Sequence, residues 1–312
     1  MEKNRDFLVF ARVGKNSLHH RWLSGDTPRN WDLQLSQYDD APDIGKGGDL
    51  PLSKDKGTKW DSIYRYLTAN PEVFERYQYI MFMDDDLDIS GADLNKFFEI
   101  CRENDLLVAQ PSLHPGSYFC YPILLQCPSM KLRFSNFVEC MAPALRTDHL
   151  KDFLPRMANV KSGWGLDHIW TVSMEDPSYR AAIVDEISML HTRPHNTAGG
   201  IKKAYESGAV SPSDELEEIR KTYQHIPDKM LVYGGIKLDG GRTGGAATRM
   251  KNGLHLALNA TDLKNSKRGR HGALGMLLRS VTQIGYKPKQ IVPVEGRAEA
   301  MMENDPVSQI SQ

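Results

Sequence analysis

Tyr79-Ile80-Met81-Phe82-Met83-Asp84-Asp85-Asp86-Leu87-Asp88 is the stretch whose reading decides the fold. Five apolar residues in a row fit a strand covered on both faces by other layers, as in the middle of an α/β sheet. The run stops at Asp84, where four carboxylates (Asp84, Asp85, Asp86, Asp88) fall within five positions. Like charges this close repel, and a divalent cation relieves the repulsion; hard carboxylate oxygens suit Mg2+ or Mn2+. Ligands of open α/β sheets bind beyond the carboxyl ends of the strands, which is where this cluster lies. The competing reading is an acidic turn that caps the next helix.

Outward from the cluster, strands and helices alternate. Phe7 to Ala11 and Trp31 to Leu35 read as strands, the second by its alternation with Asp32 and Gln34. Trp60, Ile63, Tyr64 and Leu67 fall on one helical face, and Asn70-Pro71 interrupts it. Leu94, Phe97, Phe98 and Cys101 restore helical spacing. Leu106 to Ala109 and Phe137 to Met141 read as strands, Leu150 to Met157 as a helix, and Ala181 to Val184 as a last strand. The pattern predicts an α/β fold, a mixed central sheet flanked by helices, over residues 1–200. Residues 201–312 read as a helical and loop-rich C-terminal extension with a frayed tail. In it, Ser211-Pro212-Ser213-Asp214 opens a helix running to about Tyr223, and glycine-rich Gly234 to Gly245 reads as a mobile loop.

The bulk properties exclude several classes. With 312 residues, 40% of them hydrophobic, the chain can bury a large core. A net charge of -1 offers no overall field for nucleic acid. No apolar run approaches the roughly 20 residues of a membrane span, and the charged start lacks a signal-peptide core. The expectation is a cytoplasmic protein. Cys101, Cys120, Cys127 and Cys140 show no C-x-x-C spacing and read as free thiols. From Lys264 to Gln290 there is no acid, while seven Lys and Arg surround Leu274, Met276, Leu277 and Leu278. Such a basic, partly amphipathic segment suits peripheral contact with an anionic membrane, a lid over diphosphate, or plain solvation.

Three chemistries use an aspartate cluster of this kind. Asp86-Leu87-Asp88-Ile89-Ser90 superficially matches the nucleophile loop of haloacid-dehalogenase-like, Mg-dependent phosphatases, but no convincing downstream lysine and aspartate pair accompanies it. Asp84-Asp85-x-x-Asp88 fits a prenyl-synthase pattern, which belongs on a helix rather than after a strand. The third is a nucleotide-sugar site. A strand ending in Asp84-Asp85-Asp86 resembles the D-x-D motif of GT-A glycosyltransferases, Gly163-Trp164-Gly165-Leu166-Asp167 is similar to their glycine-rich acidic segment, and His191 follows the last strand where many members place a metal-binding histidine. The same stretches resemble family 707 of the domains of unknown function, found in plants and bacteria and regarded as glycosyltransferase-like.

That resemblance implies a transferase moving a sugar from a nucleotide-sugar donor to a glycan or lipid-linked acceptor, as in polysaccharide biosynthesis, with inversion and with Mn2+ or Mg2+. Asp86, Asp84, Asp88 and His191 would be the metal ligands, and Asp167 the base that takes the acceptor's proton. Arg12, Lys15, Asp84, Asp85, Gly163, Trp164 and Gly165 would contact the donor, Trp164 by stacking on a sugar face. The plainer alternatives are a structural histidine for His191, a helix N-terminal carboxylate for Asp167, a core residue for Trp164 and surface positions for His114, Arg146, Arg193 and His195. A non-catalytic module that binds nucleotide or glycan is the non-enzyme alternative.

Overall fold

The computed structural model describes residues 5–42, 44–194, 211–295 and 297. His195, the Asn196 to Gly200 stretch and the C-terminal tail lie outside them.

The strands are β1 Phe7–Val13, β2 Trp31–Gln37, β3 Ser53–Lys54, β4 Tyr79–Met83, β5 Leu87–Asp88, β6 Val108–Leu113, β7 Met130–Ser135, β8 Ala144–Arg146, β9 Ala181–His191, β10 Tyr223–Gln224, β11 Val232–Lys237, β12 Arg242–Gly244 and β13 Val292–Pro293. The helices are α1 His19–Trp22, α2 Lys59–Ala69, α3 Val73–Arg76, α4 Gly91–Glu103, α5 Thr147–Phe153, α6 Leu166–Ile169, α7 Pro212–Thr222, α8 Gly245–Leu258 and α9 Ser266–Thr282. The main sheet runs β12-β11-β7-β9-β6-β8-β4-β1-β2-β3, with β5 paired to β9. β1 is parallel to β2 and β4, and β6 to β9, whereas β8 runs antiparallel between β4 and β6. The protein is a mixed α/β fold with a large central sheet flanked by helices.

The strand that stops at the acidic cluster behaves as its sequence requires. Tyr79, Met81 and Met83 enter one hydrophobic layer with Phe97, Phe98 and Leu94 of α4, and Ile80 and Phe82 enter the other with Trp60, Ile63 and Leu67 of α2. Both faces of β4 are buried, so the chain meets water only where the carboxylates begin.

Three expectations need correction. The sheet does not end near residue 200, because β11 pairs antiparallel with β7 and β12 with β11. The glycine-rich Gly234 to Gly245 stretch is thus mostly a β-hairpin rather than a loop; a Cβ on Gly235 would lie 2.4 Å from Met130 Cε, so close strand packing explains that glycine. Phe137 to Met141 is not a strand: the strand is Met130–Ser135, and the later residues run irregularly beside the end of β4, where Met141 O accepts from Asp84 N (3.0 Å).

Candidate functional site

The carboxyl ends of β1, β2, β4 and β9 converge on the aspartate cluster, but each carboxylate has a different task. Asp85 is buried and accepts from Gly14 N (2.9 Å), Tyr38 Oη (3.1 Å) and Arg193 (3.2 Å). It braces β1, β2 and the segment after β9. Burial pushes its carboxyl up to about 6 despite the Gly14 N–H. Asp84 is held by Lys59, the first residue of α2. The Lys59 ammonium donates to Asp84 Oδ1 (2.7 Å), Cys140 O (2.7 Å), Met141 O (3.1 Å) and Phe82 O (3.2 Å), tying the end of β4 to the 140–141 segment. Asp88 pairs with Arg21 at 2.5 Å.

Asp86 meets His191. Its Oδ2 lies 3.2 Å from His191 Nε2, while Asp86 Oδ1 is buried with no hydrogen-bond partner. The antiparallel pairing of Leu87 with His191 sets this meeting, and Thr192 reinforces it by donating from N (3.1 Å) and Oγ1 (2.8 Å) to Asp86 O. His191 Nδ1 lies 2.8 Å from Tyr118 O, and since a carbonyl only accepts, Nδ1 carries the proton. Nε2 therefore either donates to Asp86 as an imidazolium or offers its lone pair at the same point as the carboxylate. A ring N–H fixed on a backbone carbonyl, as here, is how a ligating histidine is commonly oriented. Burial works against charge on both side chains, but their mutual attraction prevails: the Asp86 carboxyl is held down and the His191 imidazolium is favoured.

Of the four side chains expected to bind metal, the structure thus brings two together. Among the described residues, no group of three or more His, Cys, Asp or Glu side chains is arranged to hold a metal ion. The chemistry of the remaining pair fits a borderline-hard divalent cation, and the orphaned Asp86 Oδ1 is an oxygen that such an ion would satisfy.

Two more carboxyls are buried in the same neighbourhood, Glu139 near enough to His191 and to Asp167 to feel their charge. Asp167, in α6, is buried and accepts from Gly165 N (3.1 Å); burial pushes it up to about 7. Glu139 is buried in the irregular segment after β7, its N–H donating to Gln110 Oε1 (2.6 Å) and its Oε2 unpartnered. Burial, then the Asp167 charge, pushes it up to about 8. Sequence reasoning missed both Glu139 and Lys59. The available signals were a lone acid inside the apolar run Phe137 to Ala142, and a cation at a helix N-terminus, where the macrodipole disfavours it.

The other candidates separate clearly. Arg12 is turned inward, bonded to Ser36 Oγ (2.9 Å), Ser62 Oγ (2.9 Å), Asp55 O (2.7 Å) and Gly57 O (2.7 Å), so it fastens loops. Lys15 is exposed, its backbone N–H on Asp39 (2.8 Å). Beside it a cleft of about 500 Å³ opens past the end of β2, lined by Gln37, Asp39, Asp40, Ile44, Lys46 and Lys56. Gly163 (φ 83°) and Gly165 (φ 99°) hold left-handed backbone, and a Cβ would lie 2.1 Å from Trp60 Nε1 and 2.5 Å from Ile219 Cδ1 respectively. Internal packing alone requires glycine at both positions. Trp164 between them is 48% exposed, not core. The loop is pinned from beyond the expected domain boundary: Glu215 of α7 accepts from Lys161 N (2.9 Å), Ser162 N (2.9 Å) and the Ser162 hydroxyl. The His114 ring accepts from Gly116 N within its own turn (3.0 Å), and Arg146 pairs with Asp105 and Asp148 at the opposite end of the sheet.

Residues 46–134, which include the aspartate cluster, match a family described as a protein of unknown function, DUF707. No curated protein matches the chain significantly. Among solved structures, S. aureus TarS 1-349 in complex with UDP-GlcNAc is similar at 13% identity over 88% of this chain and 81% of that one, with a TM-score of 0.48. TarS 1-349 in complex with UDP aligns at 11% identity over 93% and 97%, TM-score 0.43. GalNAc-T7 with UDP, GalNAc and Mn2+ aligns at 8% identity over 61% of this chain and 43% of that one, TM-score 0.46.

Proposed function

We propose that the chain is a metal-dependent glycosyltransferase that moves a sugar from a nucleotide-sugar donor to a hydroxyl of a glycan or lipid-linked acceptor, with inversion. The observation that carries this reading is the Asp86–His191 pair at the carboxyl edge of the sheet, with Asp86 Oδ1 buried and unpartnered. Asp86 and His191 would hold Mn2+ or Mg2+, and the ion would supply positive charge against the departing diphosphate, a contribution of about several kcal/mol.

The protein's own groups divide the remaining work. Lys59 fixes Asp84 and the 140–141 segment, so the floor of the site is rigid before ligand arrives. Asp167, poised near neutrality, accepts the proton of the acceptor hydroxyl as that oxygen attacks the anomeric carbon opposite the leaving group. Glu139 stays protonated at neutral pH and so can donate a hydrogen bond to a ligand oxygen, a role an ionised carboxylate cannot fill. The indole of Trp164 offers an apolar face to a sugar ring. The cleft past β2 has the size and mixed polarity for a nucleoside.

The test is a thermal-shift panel of nucleoside diphosphates and nucleotide-sugars, with and without Mn2+, on the wild type and Asp86→Ala. One nucleotide should stabilise the wild type only with metal, and not the variant. A well-folded wild type that responds to no nucleotide would reject the proposal.

A further inference from the structure

The last two helices are apolar on the side that faces water. In α8, Thr248, Arg249, Asn252, Gly253 and Leu256 are buried, so Met250, Leu254 and Leu258 lie on the opposite face at i, i+4 and i+8. Leu258 is 82% exposed, and Met250 and Leu254 are exposed as well. In α9, Gly269, Ala273, Met276 and Ser280 turn inward, while Leu274, Leu278 and Val281 are 66%, 59% and 60% exposed. Ile284, just past the helix, adds to the same end. A water-facing stripe should be polar; here two adjacent helices both carry leucine there.

The helices form one rigid unit. A Cβ on Gly253 would lie 2.9 Å from Leu277 Cγ, so glycine permits the close crossing of α8 and α9. Arg249 clamps the unit to the sheet by donating to Val232 O (2.8 Å), Arg279 O (3.0 Å) and Gln283 O (2.7 Å).

Charge selects the occupant. Between residues 240 and 294 there are ten lysines and arginines and one acid, Asp262, in a chain of net charge -1. Lys251, Lys267 and Arg270 are exposed on the helices that carry the leucines. Two copies of so basic a face would repel each other, and nucleic acid offers nothing for a leucine stripe. Among the described residues no helix is long and apolar enough to cross a membrane. The geometry points to a docking face for the surface of a bilayer that contains anionic lipid, the leucines entering the acyl boundary and the cations meeting headgroups. The face also borders the site: Lys264 stacks on Tyr118 (5.3 Å), whose carbonyl orients His191. Docking would therefore hold the catalytic cleft near acceptors carried on lipid.

Sedimentation of the full chain with phosphatidylcholine vesicles, with and without phosphatidylglycerol, tests this. The wild type should pellet with the anionic vesicles, be released by high salt, and stay soluble with phosphatidylcholine alone. Leu274→Asp combined with Leu278→Asp should weaken binding at least about tenfold without changing the melting temperature, since both side chains are exposed. Leu274→Met with Leu278→Met should retain binding. A wild type that ignores anionic vesicles, or an Asp variant that pellets as well as wild type, overturns the inference. No nucleotide is present, so either failure leaves the proposed transferase activity standing.

Discussion

His191 Nε2 lies 3.2 Å from Asp86 Oδ2 while its Nδ1 is committed to Tyr118 O at 2.8 Å. A strand end and a turn more than a hundred residues apart in sequence thus aim an imidazole and a carboxylate at one point. Removing either should abolish metal-dependent nucleotide binding: His191→Ala or Asp86→Ala should lose the roughly 2.7 kcal/mol of stabilisation that ligand gives wild type at a hundredfold excess over Kd. Calorimetric titration measures this. Asp88→Ala, which only releases Arg21, should keep it.

Asp167 is pushed up to about 7 by burial, so a base at this position is half ionised near neutrality. Turnover should climb about tenfold per pH unit below that value and level off above it. Asp167→Asn should slow turnover by about a hundredfold or more and leave donor affinity unchanged. An undiminished rate in that variant would remove Asp167 from the chemistry.

Glu139 should make stability fall as pH rises. In the unfolded chain a glutamate ionises near about 4.3, whereas burial and Asp167 push the folded one up to about 8. Between those values the folded state holds a proton the unfolded state has lost, so its advantage is complete below the lower value and gone above the higher one. Glu139→Gln should flatten this decline and raise the melting temperature at pH 8.5 by a few degrees, on the order of 1 kcal/mol or more. Melting curves across pH would expose a contrary slope.

Lys59 satisfies three carbonyls and a carboxylate at once. Lys59→Met should cost about 1 to 3 kcal/mol by leaving the carbonyls without their donor, readable from urea unfolding midpoints. Gly163→Ala should cost about 1 to 3 kcal/mol because its left-handed backbone faces Trp60 Nε1.

The sequence carried the fold well where periodicity was strong. The apolar run before Asp84, the faces of α2 and α4, and the Ser211 cap of α7 all stand as local patterns imply. It failed where tertiary pairing overrode local signals: glycine-rich Val232–Lys237 is a strand because β7 offers it an edge, and apolar Phe137 to Met141 is not one because Lys59 and Gln110 claim its backbone. At the site, the aspartates were visible as a cluster, but which would be free was not. Asp85 and Arg12 are consumed by partners 24 to 108 residues away, separations that no local spacing encodes.

The central claim, a divalent cation held by Asp86 and His191 together with a donor diphosphate, is tested most directly by the electron paramagnetic resonance of Mn2+ titrated with protein and a panel of nucleoside diphosphates. The account predicts that the free-Mn2+ signal collapses when wild type and one particular nucleotide are both present, and persists with His191→Ala or Asp86→Ala. A free signal unchanged by wild type with every nucleotide, or quenched equally by the variants, would contradict it.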